Sequence, residues 1–319
     1  MKHLSILALA SALAAPMASA EELTFAWSPN PQTPQVDIAI QKGYFEEAGL
    51  DIEFVAFRTG REGFEAMIGG QVDVTFMAEF PAAVGALTGQ EFVVIGDLAR
   101  YTGSKVIVNT ASGEVATPAD LAGKRIGTTI GTNVNFYLDK VLSEAGVAAE
   151  VVGAAPPDLV PALARGDLDA IVPFPTFYTA AAETLGDDYA ELRVPGYEVH
   201  YILAATPEMA TERSDVLDAF MGALAKADAD VKADPQAAME AVSASLQGAM
   251  TPEALAAMWQ DVEIGLTLDK GLAELLSAEA DWVLSKGVVK GEAVSPEAML
   301  ETFAPAALEK AAPAAVSLN

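Results

Sequence analysis

The alternation of apolar and polar positions predicts two successive blocks of strands and helices, followed by a helical segment. In residues 21–101, a run such as Leu23–Trp27 has the length of a strand. The pattern restarts in residues 102–203, where the apolar positions between 134 and 145 recur at helical spacing. The predicted strands are Leu23–Trp27, Asp51–Phe57, Val72–Met77, Phe92–Ile95, Arg125–Thr129, Glu150–Val152, Leu168–Val172, Tyr189–Val194 and Val199–Ala205.

The last third of the chain changes character, because its apolar residues recur almost entirely at helical spacing. A long helix is predicted between Val216 and Val231, and another between Leu272 and Val283. Strand and helix alternation followed by helices indicates sheets covered by helices. We therefore expect a two-lobed α/β fold with mixed, mostly parallel sheets flanked by helices. Residues 21–101 and 102–203 are expected to build the two lobes, and residues 204–319 to be mainly helical.

The N-terminus has the pattern of a secretory signal peptide. Lys2 precedes an apolar stretch, Leu4–Met17, and the small residues Ala18-Ser19-Ala20 follow. The apolar stretch is too short to span a bilayer. We expect residues 1–20 to be removed and the rest of the chain to be exported.

The amino-acid composition excludes several kinds of site and partner. The chain of 319 residues has no cysteine, so it has no disulfide, thiolate metal site or lipidated N-terminal cysteine, which favours a Gram-negative periplasm. Its 45 acidic and 18 basic residues give a formal net charge of −27, which opposes binding to nucleic acid or an anionic membrane. Beyond the signal segment His200 is the single histidine, and no zinc motif or serine nucleophile elbow occurs. We expect no metal, cofactor or enzyme activity; a carboxylate-dependent hydrolase is a remote alternative.

Four segments resemble the type II periplasmic solute-binding proteins of ABC importers. They are Gln41–Leu50 (QKGYFEEAGL), Gly69–Val74 (GGQVDV), Thr117–Gly127 (TPADLAGKRIG) and Gly166–Ala170 (GDLDA), and they occur in the family's order. Within that superfamily the chain is similar to the aliphatic-sulfonate, taurine and nitrate branch, to which thiamine-pyrimidine-precursor binding proteins are related.

This resemblance implies a monomeric capture subunit that closes on a small ligand by hinge motion and then docks on an ABC permease in the inner membrane. It also implies two crossings between the lobes, which we place near Gly103–Lys105 and Tyr197–Tyr201. The helical residues 204–319 would then return to lobe one and complete it. The expected ligand is a small organic anion or zwitterion, foremost a sulfonate such as taurine. A thiamine-pyrimidine precursor is the alternative, and Trp27, Asn30 and Phe174 would hold its flat ring.

The segment around Gly131 is the best candidate for an anion site, because strand ends face the ligand crevice in α/β sheets. A glycine turn there leads into a helix, whose first backbone N–H groups and positive dipole end favour an anion. Thr129, Thr132 and Asn133 add side-chain donors. The alternative is that Thr132 or Asn133 serves only as a helix N-cap.

Four further loops could contribute ligand contacts, each with a purely structural alternative. Asn30 and Gln32 could hydrogen-bond a ligand or belong to a rigid proline turn. Gly60 would let a ligand approach the backbone closely. Arg61 beside it could donate two hydrogen bonds to a ligand, or it could be a solvated charge.

The other two loops differ in character. Glu79, next to Phe80, could hold an ammonium group or cap the helix that begins near Pro81. The aromatic rings of Phe174 and Trp27 could pack on a ligand or belong to the core.

Overall fold

The computed structural model describes residues 20–287 and 289–318. The first 19 residues of the predicted signal peptide lie outside this range, so the structure does not bear on that prediction. Among the described helices, none combines the length and the apolar character that a membrane crossing needs.

The helices alternate with the strands through residue 205 and dominate the rest of the described chain. The twelve described strands are β1 Glu21–Ala26, β2 Leu50–Val55, β3 Val74–Ala78, β4 Val93–Tyr101, β5 Lys105–Asn109, β6 Arg125–Thr128, β7 Glu150–Gly153, β8 Ala170–Val172, β9 Tyr189–Arg193, β10 Val199–Ala205, β11 Val262–Asp269 and β12 Val316–Ser317. The described α-helices are α1 Pro34–Gln41, α2 Tyr44–Glu47, α3 Gly60–Ile68, α4 Phe80–Leu87, α5 Asn133–Ala145, α6 Pro156–Ala164, α7 Tyr178–Leu185, α8 Pro207–Thr211, α9 Ser214–Ala233, α10 Pro235–Ser245, α11 Pro252–Met258, α12 Lys270–Ser285, α13 Pro296–Leu300 and α14 Ala306–Ala311.

Two sheets organise the molecule. Within the described residues, seven strands pair in the order β12-β11-β4-β10-β3-β1-β2, and five pair in the order β7-β6-β8-β5-β9. We call the part built on the seven-stranded sheet lobe one and the part built on the five-stranded sheet lobe two. The expected α/β fold with two mixed sheets flanked by helices is confirmed.

Parallel pairing is less dominant than the sequence suggested. Five of the described strand pairs are parallel and five are antiparallel. Every antiparallel pair involves a strand next to a connection between the lobes: β4 or β10 in lobe one, and β5 in lobe two. The chain leaves lobe one at the end of β4 and re-enters the same sheet at that same end, since Val199 pairs with Tyr101, so β10 runs antiparallel to β4.

The connections between the sheets are short. Residues 102–104 link β4 to β5, and residues 194–198 link β9 to β10. The predicted boundary at residue 203 places Val199–Leu203 in lobe two, but the whole of β10 pairs with β3 and β4 in the seven-stranded sheet. The C-terminal helices pack on lobe one, where α12 contacts α4 and α14 contacts α9.

One predicted helix is divided. The apolar positions Val36, Ala39, Ile40 and Tyr44 recur at helical spacing, which predicts a single helix, but α1 ends at Gln41 and α2 begins at Tyr44. Gly43 between them has a φ of 67°, a left-handed conformation that favours glycine and ends the first helix.

Candidate functional site

A cleft of about 250 Å³ lies between the lobes. Lobe one contributes the ends of β1 and β3, the loop after β1 and the start of α3. Lobe two contributes the start of α5 and the segment after β8. The predicted site residues that line the cleft are Trp27, Asn30, Gly60, Arg61, Thr132, Asn133 and Phe174.

The charge of this lining is opposite in sign to that of the whole chain. Among the described residues that line the cleft, Arg58 and Arg61 are charged and no carboxylate occurs, although the sequence has 45 acidic residues. Arg58 forms no ion pair with another described residue. The local field in the cleft therefore favours an anion.

Helix α3 presents its N-terminus to the cleft. The Thr59 hydroxyl caps it by accepting the Glu62 backbone N–H at 3.1 Å. The helix start lies so close to β3 that a Cβ on Gly60 would be 2.6 Å from the Cβ of Met77. Glycine at this position therefore allows the helix terminus and Arg61 to reach the cleft.

Helix α5 faces the same cleft from lobe two. The Thr132 hydroxyl donates to the Thr129 carbonyl oxygen at 2.7 Å and does not cap the helix. In the described part of the chain, no protein acceptor is found for the backbone N–H groups of Asn133 and Val134. The Asn133 side chain, only 4% exposed, likewise bonds no other described residue. These groups are available to an anion at the positive end of the helix dipole.

Thr129 is not among the residues that line the cleft. Its hydroxyl donates to the carbonyl oxygen of Ala154 at 3.3 Å, behind the turn. Of the residues predicted for the anion site, Thr132 and Asn133 at the helix start line the cleft, and Thr129, after the preceding strand, does not.

Aromatic side chains form much of the remaining wall. Six line the cleft: Trp27, Phe57, Phe76, Phe174, Phe177 and Tyr201. Trp27 is 8% exposed, and its indole Nε1 has no hydrogen-bond partner among the described residues. The wall thus offers flat apolar surface to a ligand.

The proline-rich loop after β1 serves two roles. Asn30 lines the cleft, and its Oδ1 accepts the Gln32 backbone N–H at 2.8 Å, which fixes the turn. Gln32 itself is fully buried outside the cleft lining, and its side-chain amide has no described partner. The predicted ligand contact of Gln32 is therefore wrong, because the turn directs its side chain into the protein.

Glu79 does not face the cleft. Its side chain is fully buried, and its carboxylate accepts hydrogen bonds from the Tyr197 hydroxyl and, at 2.9 Å, from the His200 backbone N–H. The carboxyl of Glu279 on α12 approaches the same Tyr197 hydroxyl at 3.5 Å. Burial raises the pKa of Glu79 and, further, that of Glu279. The predicted ammonium site is wrong: the two carboxyls form a buried pair beside the 194–198 connection.

Phe80 also lies outside the cleft lining, and it joins the two lobes by packing. Its ring is stacked on Phe136 of α5 at 5.8 Å between centroids and contacts Trp282 of α12 edge-on at 5.7 Å. The Trp282 indole Nε1 donates to the Asp139 carboxylate of α5 at 2.7 Å. Phe80 therefore contributes to the contact between the lobes rather than to the cleft surface.

Sequence analysis missed several lining residues. Thr176 and Phe177 follow Phe174 in the same segment, and Arg58 precedes Thr59, so adjacency to predicted residues was an available signal. Tyr201 gave no such signal, because it lies on β10, which runs antiparallel to β3. A search restricted to the carboxyl ends of parallel strands does not reach it.

A second cavity, of about 460 Å³, adjoins the cleft. It lies among α3, α4, α12 and the Ile130–Gly131 turn. Its lining is mainly apolar and includes Phe64, Phe80, Val84, Ile130, Trp282 and Val283. Arg61 and Pro81 line both the cleft and this second cavity.

Nowhere in residues 20–287 and 289–318 do three or more histidine, cysteine or carboxylate side chains group in a way that could hold a metal ion. The described residues of the cleft offer hydrogen-bond donors, two arginines and aromatic surface. That arrangement is suited to bind a small molecule.

Comparison with known proteins places these features in a family. Residues 30–238 match the model of the NMT1/THI5-like family. A putative thiamine biosynthesis protein of Haemophilus influenzae is 25% identical over 223 residues, which cover 67% of this chain and 70% of that protein. The taurine-binding periplasmic protein of Escherichia coli is 26% identical over 155 residues, 48% of each chain.

A solved structure extends the similarity to the fold of nearly the whole chain. The alkanesulfonate-binding protein SsuA from Xanthomonas axonopodis pv. citri, bound to MOPS, superposes with a TM-score of 0.71. The match covers 88% of this chain and 97% of that protein at 19% sequence identity. At that identity the likeness establishes the shared two-lobed fold.

Proposed function

This chain belongs to the NMT1/THI5-like family, and from that premise we propose that it is the periplasmic substrate-binding subunit of an ABC importer for a small organic anion. The observation that carries the proposal is the cleft lining. It combines two arginines and two helix N-termini, and none of its described residues is a carboxylate, in a chain whose net charge is −27.

The acidic surface does not oppose this assignment. Exposed charges are screened within about 8–10 Å at ordinary ionic strength. The arginines and the free N–H groups of α5 act at hydrogen-bond distance, where screening is weak. A sulfonate, carboxylate or phosphate head group would be held by these local donors.

Among such anions we propose a sulfonate first. Support comes from the taurine-binding relative and from the shared fold with an alkanesulfonate-binding protein. Taurine itself carries an ammonium group, however, and a carboxylate partner for it is missing from the described cleft lining. We therefore favour a simple sulfonate over the zwitterion.

A thiamine-pyrimidine precursor is the second candidate. Trp27, Asn30 and Phe174, the residues proposed for a flat ring, all line the cleft. The relative from Haemophilus influenzae, named for thiamine biosynthesis, favours the same candidate. Such a ligand would use the aromatic wall and depend little on Arg61.

The capture mechanism follows from the contacts between lobes. Arg61, from lobe one, and Thr132 and Asn133, from lobe two, line one cleft. A ligand that contacts both sides interacts more strongly with the closed arrangement, so it shifts the population toward closure. The closed form would then dock on the permease in the inner membrane.

Isothermal titration with three matched two-carbon ligands tests the proposal. Ethanesulfonate, taurine and ethylammonium share an ethyl unit and differ in charge. We expect ethanesulfonate to bind most tightly, taurine less tightly, and ethylammonium not at all. Equal binding of taurine and ethanesulfonate would contradict the assignment of a simple anion.

Further measurements separate the alternatives. Tight binding of hydroxymethylpyrimidine without binding of ethanesulfonate would favour the second candidate. Recovery of unchanged ligand by NMR after long incubation distinguishes a binding protein from a hydrolase. X-ray scattering should show a smaller radius of gyration at saturating ligand, and no change would contradict hinge closure.

A further inference from the structure

The cleft and the second cavity are neighbours that share a wall. Arg61 and Pro81 line both of them. The cleft, at about 250 Å³, lies below the range of roughly 300–1,000 Å³ that is typical of small-molecule sites. The second cavity, at about 460 Å³, is the larger of the two. The cleft by itself therefore accommodates little more than a head group and a short body.

The two cavities have complementary chemistry. The cleft holds the unpaired Arg58 and the free donors at the α5 N-terminus. The second cavity is mainly apolar, and Ile130 within it is 49% exposed although it is a large hydrophobic side chain. Its charged lining side chains are already paired, Arg61 with Glu65 at 2.8 Å and Lys286 with Asp139 at 2.6 Å. The second cavity thus lacks an unpaired charge to attract an anion, and it suits an apolar group.

The shared wall contains an exposed ion pair. The Arg61 side chain is 46% exposed, and the Glu65 side chain that pairs with it is 58% exposed. Exposed ion pairs of this kind contribute little to stability. Rotation of the guanidinium into the cleft, toward a bound anion, would separate it from Glu65 and open the path between the cavities.

We propose that the substrate is an amphiphilic organic anion whose acidic head occupies the cleft and whose apolar portion passes Arg61 into the second cavity. This inference rests on the proposed function and specifies its substrate class. It assigns the second cavity, formed by α3, α4, α12 and the Ile130–Gly131 turn, as the site for the apolar portion.

A series of n-alkanesulfonates tests the inference by titration calorimetry on the protein expressed from the full chain. Ethanesulfonate, butanesulfonate and octanesulfonate share one head group. We expect affinity to rise along the series by up to about fourfold for each methylene that becomes buried. The expected gain from ethanesulfonate to octanesulfonate is at least 50-fold.

Substitutions at Val84 locate the apolar portion. Val84 lies on α4, lines the second cavity and does not line the cleft. Val84→Phe fills the cavity, and Val84→Asn makes its wall polar. Both substitutions should therefore remove most of the higher affinity for octanesulfonate over ethanesulfonate and leave the affinity for ethanesulfonate unchanged. The matched control is the same pair of substitutions at Val151. This residue is 41% exposed on β7 and lines neither cavity.

The outcomes separate this inference from the proposed function. Ethanesulfonate binding without a gain along the series overturns the second-cavity assignment alone. Equal effects at Val84 and Val151 also overturn it. Failure of every sulfonate to bind overturns the proposed function, and the inference with it. If Val84→Phe does not fold, Val84→Asn gives the same comparison.

Discussion

Arg61 of lobe one reaches Ile130 of lobe two: the guanidinium Nη1 lies 3.4 Å from the Ile130 carbonyl oxygen. The same guanidinium pairs through Nε with Glu65 at 2.8 Å. A Cβ on Gly131 would be 2.4 Å from Nη1, so the glycine leaves room for this approach. One cationic side chain therefore lines the cleft, touches both lobes and borders the second cavity.

Arg61→Ala should weaken binding of ethanesulfonate about 10- to 100-fold, because a hydrogen bond to a charged group contributes roughly 1.5–3 kcal/mol. Arg61→Lys should recover part of the affinity, since it keeps the charge and loses the planar fork. Calorimetric titration gives both values. Arg165→Ala is the control, because Arg165 also pairs with a nearby carboxylate, that of Asp167, but lies outside the cleft lining. Equal losses at the two positions would mean that only net charge matters.

Gly60→Ala should destabilise the protein by about 1–3 kcal/mol, because the new methyl group overpacks the contact between α3 and β3. The Cβ would be 2.6 Å from the Cβ of Met77 and 2.8 Å from its Cα. Gly222→Ala is the control: this helical position on α9 has no atom within 4 Å of the new Cβ. It should stabilise by roughly 0.5–1 kcal/mol. Thermal unfolding measures both variants. A Gly60→Ala variant with the same melting temperature as the native protein would contradict the close packing of α3 on β3.

Glu279→Gln should flatten the dependence of stability on pH. Burial raises the pKa of Glu279 well above its usual range, and the neighbouring Glu79 carboxyl adds to the effect. A raised carboxyl pKa stabilises the folded state at low pH, and that contribution is lost as pH rises through the folded pKa. The variant should therefore unfold at a higher temperature than the native protein at pH 8, and the difference should shrink toward pH 5.

The matched control for this prediction is Glu274→Gln, an exposed glutamate on the same helix. Its melting temperature should follow that of the native protein across the pH range. Parallel curves for the native protein and Glu279→Gln would show that the buried pair does not titrate as proposed.

Asp37→Asn should stabilise the protein above neutral pH. Burial raises the pKa of Asp37 from 3.8 to about 7, against the opposing effect of the nearby Ser245 hydroxyl. No hydrogen bond of ordinary geometry reaches either carboxyl oxygen from another described residue. The folded state therefore loses stability as pH rises from about 4 toward 7 and beyond. At about 1.4 kcal/mol per pKa unit, the gain at pH 8 should approach roughly 2–4 kcal/mol.

Asp158→Asn is the control for Asp37→Asn. Asp158 also lies in the first turn of a helix, α6, but it is exposed. The Asp158→Asn variant should lose the small favourable interaction with the helix dipole and show no gain in stability at high pH. Chemical denaturation at pH 5 and pH 8 measures both variants. A loss of stability in Asp37→Asn at pH 8 would indicate that the carboxylate is charged and satisfied.

The segments that carry the family resemblance also illustrate what a local pattern can predict. Thr117–Gly127 contains the capping box between Thr117 and Asp120 and leads into β6. The apolar spacing after Asn133 predicted α5, whose first residues line the cleft. These features depend on residues within one or two turns of each other, so the sequence is enough to locate them.

The sequence by itself determined the α/β alternation and the helix start at Thr132 and Asn133, because both depend on local spacing. Its resemblance to a family of binding proteins implied the two-lobed fold. Only the tertiary structure decided the direction of individual side chains at the strand ends. Glu79 already has helical dihedral angles, with φ −61° and ψ −33°, and its carboxylate is held by the Tyr197 hydroxyl, 118 residues away. Tyr201 lines the cleft because β10 returns antiparallel to β3 after the second connection. Both outcomes depend on long-range pairing, which no local pattern of apolar and polar residues encodes.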